Sequence, residues 1–178
     1  MHLLFVCTGN ICRSPTAERL AAAYGAALQI PDFSTSSAGT RAVVAQPIHP
    51  LAARVLEDLG GDASNFAARR LTPRIASEVD LVIAMTRAHR DAVLEIAPHR
   101  LHRTFTLSEA ARIALDHDPR NISELTALRP HLTGYALPDI PDPIGQGPEF
   151  FATVGSQIAD LLPPILLLCQ RMSASAPD

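Results

Sequence analysis

The sequence predicts an α/β fold: a doubly wound, four-stranded parallel sheet with helices on both faces, in a single domain. Three observations predict it. Short apolar runs alternate with segments that carry apolar residues at helical spacing. The run Leu81-Val82-Ile83-Ala84-Met85 is apolar throughout, as a strand covered on both faces would be. A chain of 178 residues, 47% apolar and 19% charged, suits one soluble domain with a real core.

The elements follow in order. Residues 2–6 read as a buried strand, and a helix runs from Pro15 to about residue 27, with Ser14 as its N-cap and Pro15 at its first position. Residues 33–36 form a short second strand. Residues 49–59 have helical spacing and stop at Gly60-Gly61, a C-cap signal. Thr72-Pro73 opens a short helix to about Ser77, and residues 80–85 are the third strand. Thr86 caps a helix to about Ile96, residues 104–107 are the fourth strand, and Ser108 caps a helix to about Leu115. Residues 116–138 are weakly periodic and read as an irregular excursion. The last helix spans residues 149–162 and is disturbed at Pro163-Pro164. The domain is expected to cover residues 1–172, with a frayed tail over 173–178.

Bulk properties narrow the function. A net charge of -3 gives no electrostatic case for nucleic acid. Cys7 and Arg13 interrupt any secretory apolar region, and the apolar run 161–169 is too short to span a bilayer. Three cysteines without a signal peptide point to the reducing cytoplasm. Cys7 and Cys12 lack zinc spacing, and His99 and His102 stand alone, so no metal or other cofactor is expected. A monomer or weak dimer, with no nucleic-acid or membrane partner, is the expectation.

The chemistry concentrates in Cys7-Thr8-Gly9-Asn10-Ile11-Cys12-Arg13-Ser14, between the first strand and the first helix. Loop N–H groups can converge on one point there, with the positive end of the helix dipole behind them. Arg13 adds a planar fork for two phosphate oxygens. The same field is expected to hold Cys7 as the nucleophilic thiolate. A lone cysteine would more often be a small core residue, and a lone Arg13 would be a surface charge at the wrong end of a dipole. The place of Cys7 after a strand, before Gly9 and six residues ahead of Arg13 favours the catalytic reading, and an anionic partner removes the objection to Arg13. Gly9 is expected to allow a backbone that turns its N–H inward. Ser14 can cap the helix and donate to the Cys7 sulfur. Cys12 is either an inward-packed loop residue or a redox partner for oxidised Cys7. Asp-Pro occurs twice, at Asp118-Pro119 and Asp142-Pro143, and the proline-studded loop around the second suits a carboxyl that protonates a leaving oxygen.

Cys-x5-Arg-Ser resembles the pattern of the cysteine-dependent phosphatases. The run from Phe5 to Glu18 resembles the opening signature of the low-molecular-weight protein tyrosine phosphatases. Ser37-Ala38-Gly39-Thr40 is similar to that family's Ser-Ala-Gly-Thr segment, and Asp139-Ile140-Pro141-Asp142-Pro143 to its general-acid loop. The resemblance implies strand order 2-1-3-4, a structural tie between Asn10 and Ser37, and Asp142 as general acid in preference to Asp139 or Asp118. It implies a protein-tyrosine phosphatase that works through a cysteinyl-phosphate intermediate on a phosphorylated protein or a small phosphomonoester. The alternatives are an arsenate reductase on the same scaffold, or a phosphate-binding or redox-sensing protein without turnover. The first needs downstream resolving cysteines, and none lies between Cys12 and Cys169.

The chain departs from the family at the pocket mouth. Ile144 and Gly145 stand where aromatic residues usually follow the Asp-Pro, and Arg41-Ala42-Val43-Val44 follows the Ser-Ala-Gly-Thr stretch. Tyr135 or Phe66 would have to supply a stacking ring from elsewhere. The family's arginine phosphatases usually carry Thr at the position of Ile11, so Ile11 favours the phosphotyrosine branch.

Overall fold

β1 (His2–Cys7) is buried at every position after His2 and alternates between two cores. Leu3, Phe5 and Cys7 face one side; Leu4 and Val6 face the other. That two-residue alternation is what a central strand needs when both faces are covered. A computed structural model describes residues 1–134 and 137–174. Its parallel four-stranded sheet has the order β2-β1-β3-β4, with β2 (Ser34–Gly39), β3 (Leu81–Ala84) and β4 (Thr104–Thr106). Cys7 pairs in register with Gly39, so the end of β2 abuts the loop that follows β1. A Cβ on Gly39 would lie 2.5 Å from the Thr8 carbonyl oxygen, so only glycine fits that approach.

Helices α1 (Arg13–Ala27), α2 (Pro50–Asp58), α5 (Leu107–His117) and α7 (Pro148–Ala174) cover one face. Helices α3 (Pro73–Ser77) and α4 (Arg87–Ile96) cover the other. Thr72 and Thr86 cap α3 and α4 through their hydroxyls, as the sequence predicts. After α2, Gly60 takes a φ of 87°, Gly61 N–H bonds the Leu56 carbonyl and Gly60 N–H bonds that of Glu57, a Schellman ending.

Four local expectations are corrected. Ser14 does not cap α1: the cap position is Cys12, with no side-chain bond, and Ser14 lies inside the first turn. Ser108 does not cap α5 either. Thr106 does, in a capping box with Glu109, while Ser108 donates to the Pro138 carbonyl. Residues 116–138 hold a short helix, α6 (Ile122–Ala127), capped by Asn121. Finally, α7 does not stop at Pro163-Pro164 but continues to Ala174, so Ser173 is still helical; residues 175–178 lie outside the described residues. By length and composition α7 could cross a membrane, yet it packs against α1, α2 and α5 as a core helix does.

Candidate active site

The loop between β1 and α1 curls around the Cys7 sulfur. Asn10 N–H donates to Sγ at 3.3 Å, and the Ser14 hydroxyl lies 2.9 Å from it. The loop residue in the left-handed region is Asn10, with φ 57°. Asparagine tolerates that backbone, and here its side chain is also fixed. The Arg69 N–H donates to Asn10 Oδ1 at 2.8 Å, so Nδ2 must be the group facing Ser14 Oγ (3.0 Å) and Ser37 Oγ (2.7 Å). The Ser37 hydroxyl donates to Glu18 Oε2 at 2.5 Å. With Asn10 donating to Ser14, the Ser14 proton is left for the sulfur. One chain of donors thus runs from Arg69 through Asn10 and Ser14 to Cys7, while a branch from Asn10 through Ser37 ends on Glu18.

The start of α1 adds to this field. Its first turn holds no acidic residue and no side-chain cap, so the N–H groups of Arg13 and Ser14 stay available to an anion. Ser14 serves the sulfur instead of the helix end, which is why its capping signal misleads.

Arg13 and Asp142 meet over the loop. Arg13 is 5% exposed; its NH2 donates to Asp142 Oδ2 at 2.7 Å and its NH1 to the Ile140 carbonyl at 3.0 Å. Asp142 is half exposed. Asp139 accepts from the Arg87 N–H at 2.9 Å, tying the 139–143 loop to the start of α4, and the Ile140 N–H bonds the Met85 carbonyl. Asp118 lies at the end of α5, paired with Arg171 at 2.8 Å. Of the three aspartates considered, Asp142 alone pairs with Arg13.

Cys12 packs inward beside Ala52, Val55 and Phe151. Burial first, then the charges of Cys7 and Asp142, push its thiol up to about 12. Cys169 is fully buried on α7.

Aliphatic side chains flank the loop. The segment after β2 runs along the outer edge of the loop: Arg41 N–H bonds the Thr8 carbonyl, and Val43 N–H bonds that of Gly9. Val43 and Ile11 crowd Gly9, and Val44 and Ile144 are exposed at 58% and 49%. Phe66 lies under Arg19, 5.7 Å from the guanidinium carbon to the ring centre, beside Glu18 and Ser37. It shares a hollow with those residues and with Arg69 as well. Tyr135 lies outside the described residues.

Sequence reasoning missed three residues of the site. Arg69 braces Asn10 and donates through Nε to the Ser37 carbonyl at 2.8 Å. Glu18 ends the serine–asparagine chain. His89 is buried beside the loop, with Nε2 2.8 Å from the Thr8 hydroxyl. His89 sits in the first turn of α4, directly after a strand that neighbours β1. In a doubly wound sheet that junction shares an end with the Cys7 loop, and this signal could have found it.

Residues 2–125 match the family model described as low molecular weight phosphotyrosine protein phosphatase. Among curated relatives, the low molecular weight protein-tyrosine-phosphatase Wzb of Salmonella typhi is 38% identical over 96 residues, which is 54% of this chain and 61% of that one. The match therefore spans about three fifths of that relative's length. Among solved structures, the low molecular weight protein tyrosine phosphatase of T. tengcongensis superposes with a TM-score of 0.75 at 28% identity, covering 94% of this chain and 98% of that one. The YwlE arginine phosphatase of Geobacillus stearothermophilus gives 0.72 at 27% identity, covering 93% and 90%.

Proposed function

The chain belongs to the low molecular weight phosphotyrosine protein phosphatase family, and we propose that it hydrolyses phosphomonoesters, phosphotyrosine among them, through a cysteinyl-phosphate on Cys7. The observation that carries this is the convergence on one sulfur of the Asn10 N–H, the Ser14 hydroxyl and the free start of α1, under the Arg13–Asp142 pair.

The steps follow from that arrangement. Phosphate oxygens take the loop N–H groups and the Arg13 fork in place of Asp142, which is released from Arg13 and takes up a proton from solvent. Cys7 Sγ attacks phosphorus in line, and the P–O bond to the leaving group breaks as Asp142 gives that oxygen its proton. Water then attacks the phosphocysteine, Asp142 accepts the water's proton, and the S–P bond breaks with the Ser14 hydroxyl stabilising the departing thiolate. The protein needs no metal or cofactor for these steps. A reduced Cys7 is required, which suits a reducing compartment such as the cytoplasm.

The aliphatic side chains that flank the loop bear on substrate. Ile11 presents no hydrogen-bonding group to a guanidinium, which disfavours phosphoarginine. Val43, Val44 and Ile144 offer burial to a phenyl ring but no stacking partner, so a small aryl phosphate should compete well with a phosphotyrosine peptide. An arsenate reductase is not favoured, since the only cysteine beyond the Cys7–Ser14 loop, Cys169, is enclosed in the core.

The test is Cys7→Ser. Turnover of p-nitrophenyl phosphate should fall to background while inorganic phosphate still binds; retained turnover would refute the mechanism.

A further inference from the structure

Thr8 follows the nucleophile directly, and its side chain reaches out to a different element. Its hydroxyl meets His89 Nε2 at 2.8 Å, while His89 Nδ1 lies 2.9 Å from the Thr86 hydroxyl. Thr86 also accepts the backbone N–H of His89 at 3.1 Å as the cap of α4. The imidazole, only 7% exposed, therefore bridges the phosphate loop to the start of α4. Burial comes first in pushing this imidazole down to about 4; the Arg13 and Arg41 cations add to it, and Asp142 and Asp139 oppose it. Near neutral pH the ring is uncharged and has one proton for two hydroxyl partners.

Two arrangements satisfy it. With the proton on Nδ1, Thr8 must donate to Nε2 and Thr86 keeps a spare hydroxyl proton. With the proton on Nε2, Thr86 donates to Nδ1, the ring donates to Thr8, and the spare proton sits on Thr8. An anion in the cradle makes the potential beside Thr8 more negative, and so favours the second arrangement.

We propose that His89 is a positioning residue of the phosphate loop: it holds Thr8 in place through the Nε2–Oγ1 bond and, with an anion bound, leaves the Thr8 hydroxyl as an added donor. The inference rests on the phosphatase reading, and its test separates the two. The full-length chain is compared with His89→Ala, His89→Gln, Thr8→Val, Thr8→Ser and the double variant His89→Ala/Thr8→Val. The readouts are p-nitrophenyl phosphate kinetics, inhibition by inorganic phosphate and thermal melting. His89→Ala and Thr8→Val should each lower kcat/KM and weaken phosphate binding by about 3- to 10-fold, the worth of one net hydrogen bond. The double variant should be no worse than either single one, because both remove the same contact. His89→Gln and Thr8→Ser keep the donor and the hydroxyl, and should recover most of the loss. Losses that multiply, or wild-type phosphate affinity in Thr8→Val, overturn the proposal. The Thr8 pair decides alone if His89→Ala does not fold. A wild-type protein that binds phosphate without turnover overturns only the phosphatase reading, and phosphate affinity then carries the His89 test.

Discussion

Replacing Asn10 by Asp leaves the volume of the site almost unchanged and reverses its hydrogen-bonding sense. The new carboxylate still accepts the Arg69 N–H, but an oxygen now stands where Nδ2 donated to Ser14 and Ser37. Nδ2 is 3.0 Å from Ser14 Oγ, which is 2.9 Å from the Cys7 sulfur. The added charge therefore lies within about 6 Å of the thiolate, where like unit charges repel by about 3 kcal/mol at an effective dielectric of about 20. Ser14 would also turn its proton toward the carboxylate and away from sulfur. The predicted loss in kcat/KM is about a hundredfold or more. Asn10→Ala is the control. It forfeits three side-chain bonds at about 0.5–1.5 kcal/mol each and puts alanine in the left-handed region at about 1–2 kcal/mol, so it should melt about 5–25 °C below wild type. Alanine brings no charge, so it should nonetheless be the more active of the two. Kinetics on p-nitrophenyl phosphate and thermal melts on both variants decide it. An Asp variant as active as the Ala variant would refute the one-way chain of donors to sulfur.

Three further outcomes are expected. Asp142→Asn should cut turnover of poorly activated esters by about 10²–10⁴-fold, with activated aryl esters suffering less; a larger loss in Asp139→Asn or Asp118→Asn would reassign the acid. Glu18 is a carboxyl whose folded value burial raises above its ordinary 4.5, against the Ser37 bond and the Arg19 and Arg69 charges. A raised carboxyl favours the folded state below its unfolded value and loses that contribution as pH rises, so Glu18→Gln should melt higher than wild type at alkaline pH. The gain should fade as pH falls toward 4.5, and a pH-independent difference would count against this. Ile144→Tyr should raise selectivity for a phosphotyrosine peptide over a small aryl phosphate by a few-fold to about thirtyfold, the scale of one or two stacking contacts; no gain would mean that the missing ring does not matter.

The strand pattern is legible because β1 and β3 are buried on both faces, and an uninterrupted apolar run of that length suits little besides a covered strand. Thr72 and Thr86 are legible because a capping hydroxyl acts on its own next turn. Ser14 carries the same local signal, but its hydroxyl is claimed by Cys7 and Asn10, partners seven and four residues away. The Thr106–Glu109 box is present in the sequence as Thr-Leu-Ser-Glu, but Ser108, the nearer hydroxyl, competes with it as a cap signal. At Pro163-Pro164 tertiary packing outweighs local preference. Two prolines cost about 3 kcal/mol each in a helix interior, whereas Leu162, Ile165, Leu166 and Leu168 are fully buried at about 1.5–3 kcal/mol each. His89 and Arg69 are hidden because their partners, Thr8 and Asn10, lie 81 and 59 residues away. Only the sheet's topology brings them together.

The central claim is a covalent phosphoenzyme on Cys7. Rapid acid quench of the protein with a radiolabelled aryl phosphate, followed by peptide mapping, tests it directly. The account predicts label on the peptide that contains Cys7, more of it in Asp142→Asn, where hydrolysis of the intermediate is slowed, and none in Cys7→Ser. Turnover without label on that peptide, or label on a different residue, would contradict it.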